Sequence, residues 1–89
     1  MLITGIDAER VLALVRHAVT VVLEVDVGTL AHETRLVDDL GADSLALIEI
    51  VEVLEAGLRD AGRSLHLEDN EIARLSTVGD AVDLALSQL

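Results

Sequence analysis

The strongest constraint on the fold is an apolar-rich run at residues 45–58 that contains no proline. Drawn as a helical wheel at about 100° per residue, the run gathers five apolar side chains on one side: Leu47, Ile50, Val51, Leu54 and Leu58. Good helix formers fill most of the other positions. The pattern predicts an amphipathic helix over about residues 44–59, with that apolar side buried in a core.

The residues just before this run predict how the helix starts. Gly41 permits a backbone turn that a Cβ atom would disfavour. Asp43 is a favoured helix cap, and Ser44 falls in the first turn. The sequence therefore predicts a serine hydroxyl at the exposed start of the helix, with a second N-cap as the purely structural alternative. The wheel places these residues on the side of the serine: Ile48, Glu52, Glu55 and Arg59, with Leu45 and Glu49 beside them.

An earlier segment predicts a first helix. Its apolar residues recur at three- and four-residue steps: Val11, Leu14, Val15, Ala18, Val22 and Val25. Asp7 is the candidate cap, and Gly28 helps to end the helix. Residues 19–25 are rich in β-branched side chains and alone would suit a strand. Because no second strand is available to pair with them, a helix is the better interpretation.

Two connections flank the main helix. Residues 26–43 form a long one, and three leucines are expected to hold it to the core: Leu30, Leu36 and Leu40. Residues 59–67 are mostly polar and read as a turn.

Two further helices follow. A short one covers about residues 69–74 and presents Ile72 to the core. Thr77 opens the last helix and forms a capping box with Asp80. The inner stripe of this last helix is expected to consist of Val78, Ala81, Val82, Ala85 and Leu89. The fold class predicted from these patterns is all-α, with three longer helices and a short third one.

Charge and length narrow the function. The chain of 89 residues predicts one domain, 1–89. Its net charge of −11 repels phosphate backbones, so we expect no nucleic-acid partner and favour basic protein partners. No apolar run reaches the roughly 18 residues of a membrane span, and the N-terminus does not resemble a signal peptide. We expect a cytoplasmic monomer without a membrane partner, and Met1 directly before the domain favours a freestanding protein.

Catalysis by the chain itself is not expected. A nucleophile elbow needs glycine two residues to either side of the serine, where this chain has Ala42 and Ala46. The three histidines form no recognisable triad with Ser44 and no ligand pair, so neither a hydrolase nor a metal site is predicted. The chain has no cysteine, so any thiol must be on an added group. Ser44 is better interpreted as the substrate of another enzyme.

The stretch Asp38-Asp39-Leu40-Gly41-Ala42-Asp43-Ser44-Leu45 closely resembles the attachment motif of acyl carrier proteins. This resemblance implies a four-helix acyl-carrier-like bundle. It also implies that Ser44, flanked by Asp43 and Leu45, carries 4'-phosphopantetheine through a phosphodiester, with acyl groups held on the terminal thiol as thioesters. The implied partners are a phosphopantetheinyl transferase, a ketosynthase, an acyltransferase and other acyl-processing enzymes.

The resemblance also implies a docking surface for partner enzymes and a cavity for the acyl chain. The acids near the serine are expected to dock arginine and lysine of partner enzymes, with solvation as the alternative role: Asp38, Asp39, Asp43, Glu49, Glu52 and Glu55. Ile48 would add an apolar anchor. The expected lining of an acyl cavity is Leu47, Leu54, Leu67 and Leu75.

The pathway is less constrained. Fatty-acid carriers often have an apolar residue eight positions after the serine, where this chain has Glu52. The longer 59–67 connection and the arginine-only basic composition also favour polyketide or other specialised biosynthesis.

Two alternatives to an acyl carrier stay open. One is an aminoacyl or peptidyl carrier, although Ala42-Asp43 departs from the Gly-Gly-His/Asp-Ser typical of that class. The other is an unmodified acidic helical interaction domain.

Overall fold

A computed structural model describes residues 8–26, 28 and 30–88 of the chain. This part contains four helices, which are α1 (Ala8–Leu23), α2 (Ser44–Asp60), α3 (Asp69–Ala73) and α4 (Val78–Gln88). The predicted all-α fold with three longer helices and a short third one is confirmed. None of these four helices is long and apolar enough to cross a membrane.

The helices pack around an aliphatic core. Helix α1 contacts both α2 and α4, whereas α3 contacts only α2 among the helices. The five apolar residues predicted for the inner side of α2 are all buried. The predicted inner stripe of α4 is buried from Val78 to Ala85, and Leu89 lies outside the described residues. The core also contains Leu30 and Leu36 of the long connection, while Leu40 is half-buried against it.

Helix α1 ends earlier than its apolar pattern suggests. It stops at Leu23, and the next residue, Glu24, has a φ of 56° in the left-handed region. The N–H of Glu24 still donates to the carbonyl of Thr20, at 2.9 Å. The expectation that Gly28 ends the helix was therefore wrong, because the chain leaves the helix at Glu24. The β-branched segment is helical up to Leu23, and the proposed Asp7 cap lies outside the described residues.

The long connection is fixed to the start of α4 by backbone pairing. Three N–H groups donate to carbonyls across the two segments, from Leu36 to Ser76 at 2.8 Å, from Val78 to Thr34 at 3.0 Å and from Gly79 to His32 at 2.8 Å. A Cβ atom on Gly79 would lie 3.1 Å from the carbonyl oxygen of His32 and would also meet the imidazole. Glycine therefore allows the close approach of the two backbones.

A tight turn then leads from this pairing to α2. The N–H of Arg35 donates to Oδ2 of Asp39 at 2.8 Å, which closes the turn from one side. The N–H of Ala42 donates to the carbonyl of Leu36 at 2.9 Å, which closes it from the other. Gly41 has a φ of 74°, so the glycine expected at this turn adopts a conformation that other residues rarely take.

Both later helices begin with reciprocal caps. At α4, the predicted box forms, because Asp80 N–H donates to Thr77 Oγ1 at 3.0 Å and Thr77 N–H donates to Asp80 Oδ2 at 3.1 Å. At α3, the N–H of Glu68 donates to Oε1 of Glu71 at 2.9 Å. This second box was not predicted, and it stabilises a helix too short to persist without such support.

Replacing Leu36 by alanine is expected to destabilise the fold by about 3 kcal/mol, because a fully buried side chain would be replaced by a cavity. The adjacent Val37 is 48% exposed, so Val37→Ala is expected to change the free energy of unfolding by no more than about 0.5 kcal/mol. Urea unfolding followed by far-ultraviolet circular dichroism measures both values. Equal losses in the two variants would contradict the placement of Leu36 in the core.

Candidate functional site

Ser44 is the first residue of α2 and is exposed. The preceding Asp43 is the N-cap, as predicted, because its Oδ1 accepts the N–H of Ala46 at 2.8 Å. Asp43 therefore occupies the capping position that was the structural alternative for Ser44. Within the described part of the chain, the Ser44 hydroxyl makes no hydrogen bond. The result is a serine Oγ that has no partner in the described chain and lies at a capped helix start.

Exposed apolar side chains lie on either side of this hydroxyl in the sequence. Leu45 is 64% exposed directly after the serine, and Ile48 is 38% exposed one helical turn later. Val37, in the turn before α2, is exposed as well. Large aliphatic side chains left in water near one functional group are typical of a surface that another molecule covers.

The acids near the serine fall into two groups. Asp38 and Asp39 are both bound to Arg35, Asp38 through an exposed ion pair of 3.3 Å and Asp39 through the turn-closing bond. On α2, Glu49 and Glu52 are exposed and Glu55 is half-buried, and none of the three has a hydrogen bond or ion pair within the described residues. The helix acids are therefore free to meet a cation, whereas Asp39 has a structural role.

A cleft of about 220 Å³ opens beside Ser44, between α2 and α3. Its walls are Ser44, Leu47, Ile48, Asp69, Ile72 and Ala73. Among the four leucines predicted to line an acyl cavity, Leu47 lies in this wall. The other three, Leu54, Leu67 and Leu75, are buried and are not part of the wall.

Sequence reasoning did not single out two residues of the cleft wall, both of them on α3. Asp69 and Ala73 lie at the two ends of α3 and face the same cleft. Their four-residue spacing places them on one side of a helix, which is the signal that could have revealed them. The helix is so short that this periodicity has a single repeat, and a single repeat is easily overlooked.

Metal binding has no geometric support in residues 8–26, 28 and 30–88. No group of three or more histidine, aspartate or glutamate side chains there is arranged to hold a metal ion. The nearest approach of a histidine to an acid is between His66 and Glu68, at 3.5 Å, and both side chains are largely exposed.

Two substitutions of Asp43 separate the effect of its charge on stability from the effect of its capping bond. Asp43→Ala is expected to lower the free energy of unfolding by about 1 kcal/mol, because the N–H of Ala46 loses its acceptor. Asp43→Asn retains a capping oxygen and is expected to remain within about 0.5 kcal/mol of the parent. Urea unfolding distinguishes the two. A loss of about 1 kcal/mol in the asparagine variant would show that charge, and not the cap, stabilises the helix start.

Comparison with known proteins agrees with this geometry. The family model described as "Phosphopantetheine attachment site" matches residues 13–85. An acyl carrier protein of Thermotoga maritima is 34% identical over 74 residues, covering 83% of this chain and 85% of the relative. An acyl carrier protein of an Exiguobacterium species is 39% identical over 74 residues, covering 83% and 87%. One from Desulforapulum autotrophicum is 37% identical over 59 residues, covering 66% and 70%.

Members of this family carry 4'-phosphopantetheine as a covalent group, and the residues present fit it. The Ser44 hydroxyl is exposed and makes no bond within the described chain, so an oxygen is available for a phosphodiester. An apolar cleft of about 220 Å³ lies next to it. On the family model and these relatives, the chain belongs to the acyl carrier protein family, whose members carry acyl groups on 4'-phosphopantetheine and are not themselves enzymes.

Proposed function

We propose that Ser44 is the attachment residue and that this single domain shuttles acyl intermediates between biosynthetic enzymes. The observation that carries the proposal is the free Ser44 hydroxyl, held at the capped start of α2 beside an apolar cleft. Asp43 fixes the helix start, and Leu45 offers an apolar contact next to the hydroxyl. The attached arm supplies a terminal thiol that holds acyl groups as thioesters.

Attachment requires a phosphopantetheinyl transferase. The serine oxygen forms a bond to the β-phosphorus of coenzyme A, the bond to the adenine-nucleotide phosphate breaks, and a base of the transferase takes the hydroxyl proton. This chain contributes the positioned hydroxyl and no base, since no titratable side chain bonds to Ser44 within the described residues. An exposed serine on a fixed helix start suits an enzyme that must approach from outside.

The surface around Ser44 suits basic partner enzymes such as a ketosynthase or an acyltransferase. Glu49, Glu52 and Glu55 add negative charge along α2, and the charge of Asp38 and Asp39 before it is partly offset by Arg35. Ile48 supplies an exposed apolar anchor among them. Each exposed ion pair contributes only about 0–1 kcal/mol, so such docking is reversible, as a shuttle requires.

We place the chain in polyketide or other specialised biosynthesis, and we expect it to be a monomer in the cytoplasm. Glu52 supports the choice of pathway, because it is exposed on α2 where fatty-acid carriers often have an apolar contact residue. A carboxylate there weakens apolar docking to the housekeeping fatty-acid enzymes and favours a partner with a matching cation.

Replacing Ser44 by alanine is expected to abolish loading by a broad-specificity phosphopantetheinyl transferase and coenzyme A. Because Ser44 is exposed and its hydroxyl makes no bond within the described chain, the variant should fold normally. Ser64→Ala, which changes another exposed serine, is the matched control and should load fully. Intact mass and peptide mapping measure the loading. Loading of Ser44→Ala, or no loading of the parent chain, would refute the proposed attachment.

Replacing Glu49 and Glu55 together by glutamine is expected to slow association with a cognate enzyme several-fold, with a smaller effect on dissociation. Glu33→Gln with Asp83→Asn removes the same charge from exposed positions beside the start of α4 and serves as the control. Surface plasmon resonance at two salt concentrations measures both rates. Equal slowing in the two double variants would assign the effect to net charge instead of the α2 surface.

A further inference from the structure

A second cleft, of about 180 Å³, lies at the end of α2 that is opposite to Ser44. Its wall consists of Gly62, Arg63, Ser64 and Gln88. At about 1.5 Å per residue, the 17 residues of α2 place this end roughly 25 Å from the serine. The cleft is therefore separate from the attachment site, and a ligand bound there would leave Ser44 accessible.

The wall of this second cleft offers hydrogen-bond donors and no carboxylate. The guanidinium of Arg63 is a pure donor, and the side-chain amide of Gln88 can donate as well. The main-chain N–H of Ser64 has no acceptor within the described chain. By contrast, the cleft beside Ser44 includes Asp69, in a chain where 17 acids outnumber six basic residues. A wall of donors without an acid indicates that this cleft suits an anion.

Arg63 is fixed at its backbone but has no partner at its side chain. Its N–H donates to the carbonyl of Leu58 at 2.8 Å, and the N–H of Gly62 donates to the carbonyl of Arg59 at 3.0 Å. These bonds tie the segment after α2 to the last turn of the helix. The Nε atom of Arg63 is buried and has no hydrogen-bond partner in the described part of the chain. Because a buried donor without an acceptor destabilises the folded state, an anion that reached it would relieve that cost.

The helix end nearby does not use this guanidinium. A cation beside the last turn of a helix usually donates to the free carbonyls there. Helix α4 ends at Gln88 in the same cleft, yet Arg63 makes no side-chain bond to it within residues 8–26, 28 and 30–88. Arg59, exposed in the last turn of α2, adds a second positive charge at this end. The charge of Arg63 therefore remains available to a ligand.

We propose that Arg63 and Gln88 form a binding site for a phosphate group, carried either by free phosphate or by a small phosphate ester. A guanidinium matches two phosphate oxygens through parallel N–H bonds. The Gln88 amide and the Ser64 N–H are donors for the oxygens that remain. A carboxylate has fewer oxygens to share among these donors, so phosphate is the better match. This site goes beyond the carrier role and needs no arm on Ser44.

Titration of the unmodified chain with inorganic phosphate tests the site. Nitrogen-15 NMR follows the backbone amides and the arginine Nε–Hε groups, with sodium chloride at equal ionic strength as the reference. The net charge of −11 opposes an anion, so we expect saturation in the millimolar range. The largest shifts should occur at Arg63 Nε–Hε and at the amides of Ser64 and Gln88. Shifts that do not saturate, or that chloride reproduces, would overturn the proposal.

Three arginine variants separate the site from net charge. Arg63→Gln is expected to weaken phosphate binding at least tenfold, because the charge-assisted bonds are lost. Arg63→Lys keeps the charge without the paired N–H bonds and should weaken binding about fivefold. Arg74→Gln removes the same charge from an exposed residue outside the wall and should change the affinity less than twofold. Equal weakening by Arg63→Gln and Arg74→Gln would overturn the proposal.

Circular dichroism checks the fold of each variant. Should Arg63→Gln fail to fold, Gln88→Ala tests the same site from an exposed position and is expected to weaken binding about threefold. An unchanged affinity in Gln88→Ala would remove that residue from the site and overturn the proposal as stated.

A second titration, with glycerol phosphate, distinguishes the two sources of the phosphate group. Tighter binding of the ester than of inorganic phosphate supports the site and identifies an organic phosphate, whereas equal or weaker binding supports it as a site for the free anion. Because none of these measurements uses a transferase, failure of this site and failure of loading at Ser44 are distinguishable.

Discussion

The structure depends on the pairing of the long connection with the start of α4. Three backbone hydrogen bonds join residues 32–36 to residues 76–79, and Leu36 is fully buried at this junction. Without that pairing, residues 30–43 would be a long loop with a large choice of conformations. With it, the turn that ends at Ala42 fixes the direction in which the chain enters Asp43 and α2. The position of Ser44 is thus set by contacts far from it in the sequence.

The strongly acidic composition serves two different purposes. Some carboxylates accept backbone hydrogen bonds and stabilise local structure, as Asp39 does in the turn, Asp43 at α2 and Asp80 at α4. Others, such as Glu49 and Glu52, make no bond within the described chain and remain exposed. Removing an acid of the first kind costs stability, whereas removing one of the second kind relieves repulsion in a chain of net charge −11. The unbonded acids on α2 are therefore the better candidates for partner contact.

Local sequence signals predicted the features that depend on neighbouring residues. The inner side of α2, the Asp43 cap and the Thr77–Asp80 box each depend on residues within one or two helical turns. The end of α1 at Glu24 was missed, because a left-handed glutamate has no strong sequence signal. The pairing with α4 was also missed, since it joins segments some forty residues apart. The cleft walls on α3 were missed for a similar reason, because they become a site only through packing on α2.

The two helices that line the cleft beside Ser44 are held in place by different contacts. Ser44 lies on α2, which packs against α1 and is capped by Asp43. Helix α3 packs against α2 alone among the helices, through Ile72, and is stabilised by its own capping box. The two walls of the cleft therefore depend on different contacts. The α2 wall is set by packing on α1, and the α3 wall is set by packing on α2 and by the bonds at its own start.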